Sequence, residues 1–190
     1  MSTYKSNIQK LDTPERRIAL PPKETLLSLG LTGDVDFADI GCGIGYFAIP
    51  AALIIKPGHK VYAIDPAADM IAEARKRAGE AGINNIQFVQ SDALNFKIPS
   101  ESVDFGLLAN VFHEIPEKEL FAGLIWDIVK PGGKLALIEW NNQILEMGPP
   151  ENHRITQEET DRFMQNAGFE RIKALNIGEM FFGRVYLKQC

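Results

Sequence analysis

The chain has 190 residues, 45% of them hydrophobic and 24% charged, with a formal net charge of -5. That length suits one α/β domain with its own core, needing no disulfide or metal staples. Its two cysteines, Cys42 and Cys190, form neither a disulfide framework nor a zinc-type cluster. The acidic balance argues against nucleic-acid partners, which need clustered Lys and Arg. Residues 1–10 are polar and lack the apolar core of a secretory signal. The longest apolar stretch, 47–55, is too short to span a bilayer and contains Pro50. A cytoplasmic protein with no membrane span is expected.

Residues 1–30 carry Pro14, Pro21 and Pro22 and predict a short helix over 23–29. They read as an N-terminal extension that covers either an active site or plain surface, ahead of a domain over 31–190. A regular alternation follows. Short β-branched runs at 35–40, 60–64, 86–90, 103–109 and 134–140 predict strands. Helical periodicity falls between them at 45–55, 67–81 and 117–129, clearest where Met70, Ile71, Ala74 and Ala78 share one face. Strands alternating with helices predict a parallel sheet covered on both faces. Residues 141–155 are polar and hold Gly148-Pro149-Pro150. Thr156 and Glu159 stand at capping-box spacing before a helix over 157–167. The runs 169–177 and 180–187, joined around Gly178, predict an antiparallel hairpin at one edge of the sheet.

Asp39-Ile40-Gly41-Cys42-Gly43-Ile44-Gly45 follows a predicted strand and opens a helix, the context of a nucleotide-binding turn. The spacing is GxGxG, not the GxGxxG of dinucleotide sites. A carboxylate at Asp39 would repel a pyrophosphate in a partly buried crevice and suits an ammonium group instead. Asp65 ends the second strand, where an acid can accept from both ribose hydroxyls; it can also cap the next helix, with Pro66 as first helical residue. Asp92 ends the third strand, where it can meet an adenine amine. Three acids at consecutive strand ends beside a glycine loop make a crevice for an amine, a ribose and an adenine. That charge pattern fits S-adenosyl-L-methionine (SAM) and not NAD.

Together with Val103-Asp104-Phe105 and Pro131-Gly132-Gly133-Lys134, these motifs resemble the class I SAM-dependent methyltransferases over about 35–188. The branch most similar is that of the ubiquinone/menaquinone-biosynthesis (type 11) C-methyltransferases. The resemblance implies a Rossmann-like seven-stranded sheet of order 3-2-1-4-5-7-6 with the last strand antiparallel and helices on both faces. It implies that Asp39 holds the methionine ammonium while the backbone of Gly41, Cys42 and Gly43 lines the methionyl part. Asp65 takes the ribose, Pro66 and Met70 border the adenine, and Asp92 and Ala93 stand at its edge. Asn110 meets the cofactor mainly through backbone.

Methyl transfer from a sulfonium needs positioning and exclusion of water, and a base only where the nucleophile must lose a proton. His113, three residues beyond Asn110, stands where the acceptor would meet the methyl and titrates near neutrality. It acts there on the acceptor or holds its loop by hydrogen bonding. Glu114 is a helix-start acid or the group that orients His113. His59 lies in a turn, and His153 in the 141–155 segment. Asn110-Val111-Phe112-His113 is not the Asn/Asp-Pro-Pro-aromatic motif of exocyclic-amine methyltransferases, and the cysteines do not suit arsenite methylation. The expected activity is methylation of a small molecule by SAM, with no metal. A SAM-binding sensor or partner subunit without turnover is the alternative.

Overall fold

The computed structural model describes residues 11–92, 94–141 and 148–189. Seven strands form one sheet in the order β3-β2-β1-β4-β5-β7-β6. They are β1 (Phe37–Ile40), β2 (Val61–Asp65), β3 (Ile86–Gln90), β4 (Val103–Ala109), β5 (Val129–Trp140), β6 (Phe169–Ile177) and β7 (Phe181–Lys188). β1 pairs in parallel with β2 and β4, and β7 lies antiparallel between β5 and β6. This is the expected Rossmann-like sheet.

Helices α1 (Pro14–Ala19), α2 (Pro22–Leu29), α3 (Ala48–Ile54), α4 (Ala68–Glu80), α5 (Lys118–Ile128) and α6 (Gln157–Asn166) complete the fold. Successive residues of a strand point to opposite faces, so β1 sends Phe37 to one core and Ala38 and Ile40 to the other. Leu26, Ala48, Ala51 and Ile71 cover the first face, and Phe121, Ile125 and Met164 the second.

Several boundaries move for local reasons. α3 starts at Ala48, not at 45, because Gly41, Gly43 and Gly45 adopt φ of +78°, +51° and +81° in the turn before it. Pro50 then falls in the first turn of α3, where a missing N–H costs no helical bond. α4 starts at Ala68, two residues after Pro66, because an Asp65 carboxylate oxygen accepts from the Ala67 N–H and holds the entry as a turn. β5 runs through Pro131-Gly132-Gly133, with a register shift against β4 between Val103 and Phe105. α1 is an addition, capped by the Thr13 hydroxyl with Pro14 at its first position. The capping box at Thr156 and Glu159 forms in both directions, at 3.1 and 2.9 Å.

No helix among the described residues is long and apolar enough to cross a membrane.

Candidate active site

The C-terminal ends of β2, β1, β4 and β5 open into a cavity of about 910 Å³. This is the crevice outside the carboxyl ends of the strands, at the β1/β4 switch point, where open α/β sheets bind ligands. Its size is near the top of the usual range for small-molecule sites, roughly 300–1,000 Å³.

The glycine loop forms one wall. The Gly41 and Cys42 N–H groups both donate to the Ile64 carbonyl, at 2.8 and 2.9 Å, tying the loop to β2. A side chain at Gly41 is excluded twice over. Its φ of +78° disfavours an L residue, and a Cβ there would lie 2.3 Å from a Val111 methyl. The loop after β1 thus touches the loop after β4 only because position 41 is glycine.

Asp39 stands beneath the loop with 2% exposure. Its Oδ2 has no hydrogen-bond partner. Burial first, then the neighbouring Asp65 charge, push its carboxyl up to about 7, against the Ala48 N–H and the Arg16 guanidinium. Asp65 accepts from the Gly43 N–H through Oδ2 and from the Ala67 N–H through Oδ1, both at 2.9 Å. Burial raises its pKa too, opposed by these two bonds. Each of its oxygens keeps a lone pair for a ligand.

Arg16 reaches into the cavity from α1 and lies over the Tyr46 ring at 4.8 Å. Its Nε is buried without a partner, and burial lowers its pKa. Asn110 follows β4 at a φ of +57°, which asparagine tolerates better than most residues. Its backbone N–H donates to the Ile138 carbonyl at 2.8 Å. Its side-chain Oδ1 and Nδ2 are both buried and unpartnered. Five buried side-chain atoms lack partners among the described residues; four, on Arg16, Asp39 and Asn110, belong to residues lining this cavity. Native proteins rarely leave such groups unsatisfied, so the pattern marks a polar ligand site.

Pro66 and Met70 line the cavity beside the glycine loop. At the end of β3 it is Ser91 that is buried and lines the wall, while Asp92 is exposed. The alternation that turns Ser91 inward turns Asp92 out. Ala93 lies outside the described residues.

The far end of the cavity is aromatic and apolar, with Trp140, Phe181, Met180 and Ile115 in its wall. Gly148 packs against the Trp140 ring, where a Cβ would approach to 2.6 Å. Arg154 holds this return by donating to the Pro149 and Asn141 carbonyls, at 2.9 and 2.6 Å. His113 is half-buried in this wall. Its Nδ1 meets Glu139 Oε2 at 2.7 Å and its backbone N–H donates to Glu139 Oε1 at 3.1 Å. Burial alone would lower the His113 pKa, but the hydrogen bond and charge of Glu139, helped by Glu114, hold it above the ordinary histidine value. Glu114 Oε1 is 3.9 Å from Nε2, so Glu139 and not Glu114 orients the ring. His153 borders a smaller cavity of about 370 Å³ with His113, Glu114 and Asn152. His59 sits elsewhere, 3.6 Å from Asp36 just ahead of β1.

A family model described as a methyltransferase domain matches residues 38–137, from β1 into β5. The chain belongs to the class I SAM-dependent methyltransferases, in the type 11 branch. A SAM-dependent methyltransferase from Aquifex aeolicus has a similar structure. The TM-score is 0.91 at 28% identity, covering 96% of this chain and 97% of that one. The demethylmenaquinone methyltransferase of Listeria welshimeri is 25% identical over 117 residues, 62% of this chain and 50% of that protein. The aklanonic acid methyltransferase DauC of a Streptomyces strain is 36% identical over 98 residues, 52% of this chain and 44% of that one. The chain spans about half the length of the curated relatives it matches.

Within this family frame, two residues, Arg16 in the cavity wall and Glu139 bonded to His113, had little sequence signal. Arg16 sits on a six-residue helix, marked only by Thr13-Pro14 as cap and first position. Glu139 is the one charged residue in the otherwise apolar run Leu135–Trp140, a weak sign of an inward-facing polar role.

Proposed function

We propose that this protein binds SAM and transfers its methyl group to a small-molecule acceptor. The observation that carries this reading is the set of four unpartnered buried atoms around one cavity, an anion, a cation and an amide side by side. SAM, when bound, supplies an electrophilic methyl on a sulfonium, together with an ammonium, a carboxylate and an adenosine. Asp39 would hold the ammonium, which restores its ionised form. Arg16 would hold the carboxylate. The Asn110 side-chain amide offers a donor and an acceptor to the same end, beside the backbone role expected for this residue. Asp65 would take the ribose through its remaining lone pairs, with the backbone of Gly41, Cys42 and Gly43 along the methionyl part. Pro66 and Met70 would flank the adenine, with Ser91, and Asp92 and Ala93 beyond it, at its edge.

Acceptor specificity belongs to the far end, where Trp140, Phe181 and Met180 suit an apolar ring system and His113 is the polar group. The relatives named for demethylmenaquinone and aklanonic acid support an acceptor of that size class. The acidic net charge favours a small molecule over nucleic acid. Leu11, Thr13 and Arg16 in the cavity wall support the reading of the N-terminal extension as an active-site cover. The hydrogen-bonded His113–Glu139 pair beside the cavity favours turnover over silent cofactor binding.

Titration calorimetry with SAM, its demethylated product and NADH tests the proposal. SAM and product should bind and NADH should not. Asp65→Ala should lose charge-assisted bonds of roughly 1.5–3 kcal/mol, about tenfold to a hundredfold in Kd. His113→Ala should leave SAM affinity nearly unchanged. Tight NADH binding without SAM binding would overturn the reading.

A further inference from the structure

Glu139 grips one residue with both oxygens. Oε1 accepts from the His113 backbone N–H and Oε2 from the ring, at 3.1 and 2.7 Å. The carboxylate is 1% exposed and, when ionised, can only accept. Nδ1 must therefore carry the ring proton, and the second nitrogen, Nε2, is the one whose state is free to change. Among the described residues, the closest ionic partner of Nε2 is the Glu114 carboxylate at 3.9 Å, beyond hydrogen-bond reach. His113 also stands between two cavities. It lines the large chamber on one side and, on the other, the smaller polar one with Glu114, Asn152 and His153.

We infer that Glu139 is a positioning residue that fixes the neutral His113 tautomer with its Nε2 lone pair free, so that His113 takes a proton from the methyl acceptor. The acceptor then belongs to the class whose attacking atom carries an exchangeable proton: a hydroxyl, an N–H or an acidified C–H. A thioether or tertiary amine would leave the arrangement idle. This rests on the methyl-transfer reading above. The step balances simply. The acceptor X–H bond breaks, its electron pair stays on X as the nucleophile, and the proton forms a bond to Nε2. Glu139 offsets the imidazolium charge. The smaller cavity gives the proton a route to water past Glu114, whose side chain is 73% exposed.

A glutamine at position 139 separates this role from simple packing. The carboxylate offers two acceptor oxygens, whereas an amide offers one oxygen and one NH₂. The backbone N–H can only donate, so it takes the amide oxygen. The NH₂ then faces Nδ1, which must give up its proton and leave Nε2–H as the ring donor. An analogous loss of the orienting carboxylate in a catalytic triad leaves geometry intact while imposing the wrong tautomer.

The test is nitrogen NMR of the full chain labelled with ¹⁵N-histidine, alone and with S-adenosylhomocysteine, the signals assigned through His59→Gln and His153→Gln. The wild type should show neutral His113 in the Nδ1–H form. Glu139→Gln should convert it to Nε2–H and lower its titration midpoint by about one pH unit or more. The other groups that set this midpoint are Glu114 beside it and Lys118 at the start of α5; His153 shares the smaller cavity with it. An Nε2–H tautomer in the wild type, which needs no variant, overturns the inference. So does a folded Glu139→Gln protein with unchanged tautomer and midpoint. SAM affinity on the same samples separates the two readings. A wild type that binds no SAM defeats the methyl-transfer reading whatever the tautomer. SAM binding with the wrong tautomer defeats the Glu139 role alone.

Discussion

Asp39→Asn should make the ligand-free protein more stable and a worse binder of SAM. Asp39 is buried with one oxygen unpartnered, and its pKa stands at about 7 against 3.8 for an ordinary aspartate. Between those two values the folded state holds a proton that the unfolded state has lost. Stability therefore falls as pH rises from about 4 through 7, by an upper bound of roughly 4 kcal/mol above that window. The amide is nearly isosteric and does not titrate, so the variant should gain part of that energy at pH 8. At roughly 2–4 °C per kcal/mol for a chain of this size, Tm should rise by several degrees. Binding moves the other way. An ammonium on the ligand needs the ionised carboxylate, which in the free protein is about three quarters populated at pH 7.5 but only about 3% at pH 5.5. Wild-type affinity for SAM should fall about 25-fold across that range, close to 2 kcal/mol. Near pH 7 binding should release about half a proton, seen by calorimetry in buffers of different ionisation enthalpy. The variant should bind about tenfold to a hundredfold more weakly at pH 7.5, with little pH dependence. A flat wild-type affinity from pH 5.5 to 7.5 with no proton release, and an unchanged Tm in the variant, would refute the reasoning.

Arg16→Gln should weaken SAM about tenfold while leaving adenosine, which has no carboxylate, bound as before; equal losses for both ligands in calorimetry would deny Arg16 the carboxylate role. Gly41→Ala should cost about 1–3 kcal/mol of stability, because a positive φ and a clash with Val111 coincide there, and SAM affinity should drop with it. A denaturant midpoint equal to wild type would show that the two loops part freely.

The acids at the strand ends were legible because two signals coincide in them. Asp65 closes the apolar run of β2 and Asp39 stands one residue short of the end of β1, directly before the glycine loop, and a parallel strand's carboxyl end is where this architecture opens its crevice. The capping box at Thr156 was legible for a similar reason, since both partners lie within one turn. Other features depend on what the chain meets across the fold. β4 and β5 pair Ala109 with Ile138, which sets Asn110 beside Glu139, and the 3-10 turn over Phe112–Glu114 then brings His113 to the carboxylate. No local pattern encodes that register. Asn110 was expected to meet the cofactor mainly through its backbone; that its side-chain amide is also buried and unpartnered follows from the left-handed turn there, which no local pattern signals. Asp92 was read as a site acid from its place at a strand end. The strand's alternation puts Ser91 in the wall instead.

The polar groups of the site follow the sheet. Across β2, β1, β4 and β5 in spatial order stand Asp65, Asp39, Asn110 and Glu139, each within one residue of the carboxyl end of its strand. Neighbouring strands are about 4.8 Å apart, so these four stations span about 14 Å. That spacing explains why the orphaned atoms persist. A hydrogen bond needs about 3 Å, and Asp39 and Asn110, rooted on adjacent strands, form none with each other. Flexible loops would let such groups collapse onto one another and lose their ligand. Four strands that are buried and hydrogen-bonded to one another cannot do so, and the chain carries the stability cost of Asp39 as a result. At the last station the pattern changes. Glu139 is not left open but is spent on both N–H groups of His113, so the free polar atom there is the imidazole Nε2. On the reading proposed above, the acceptor chemistry belongs at this β5 end, beside His113.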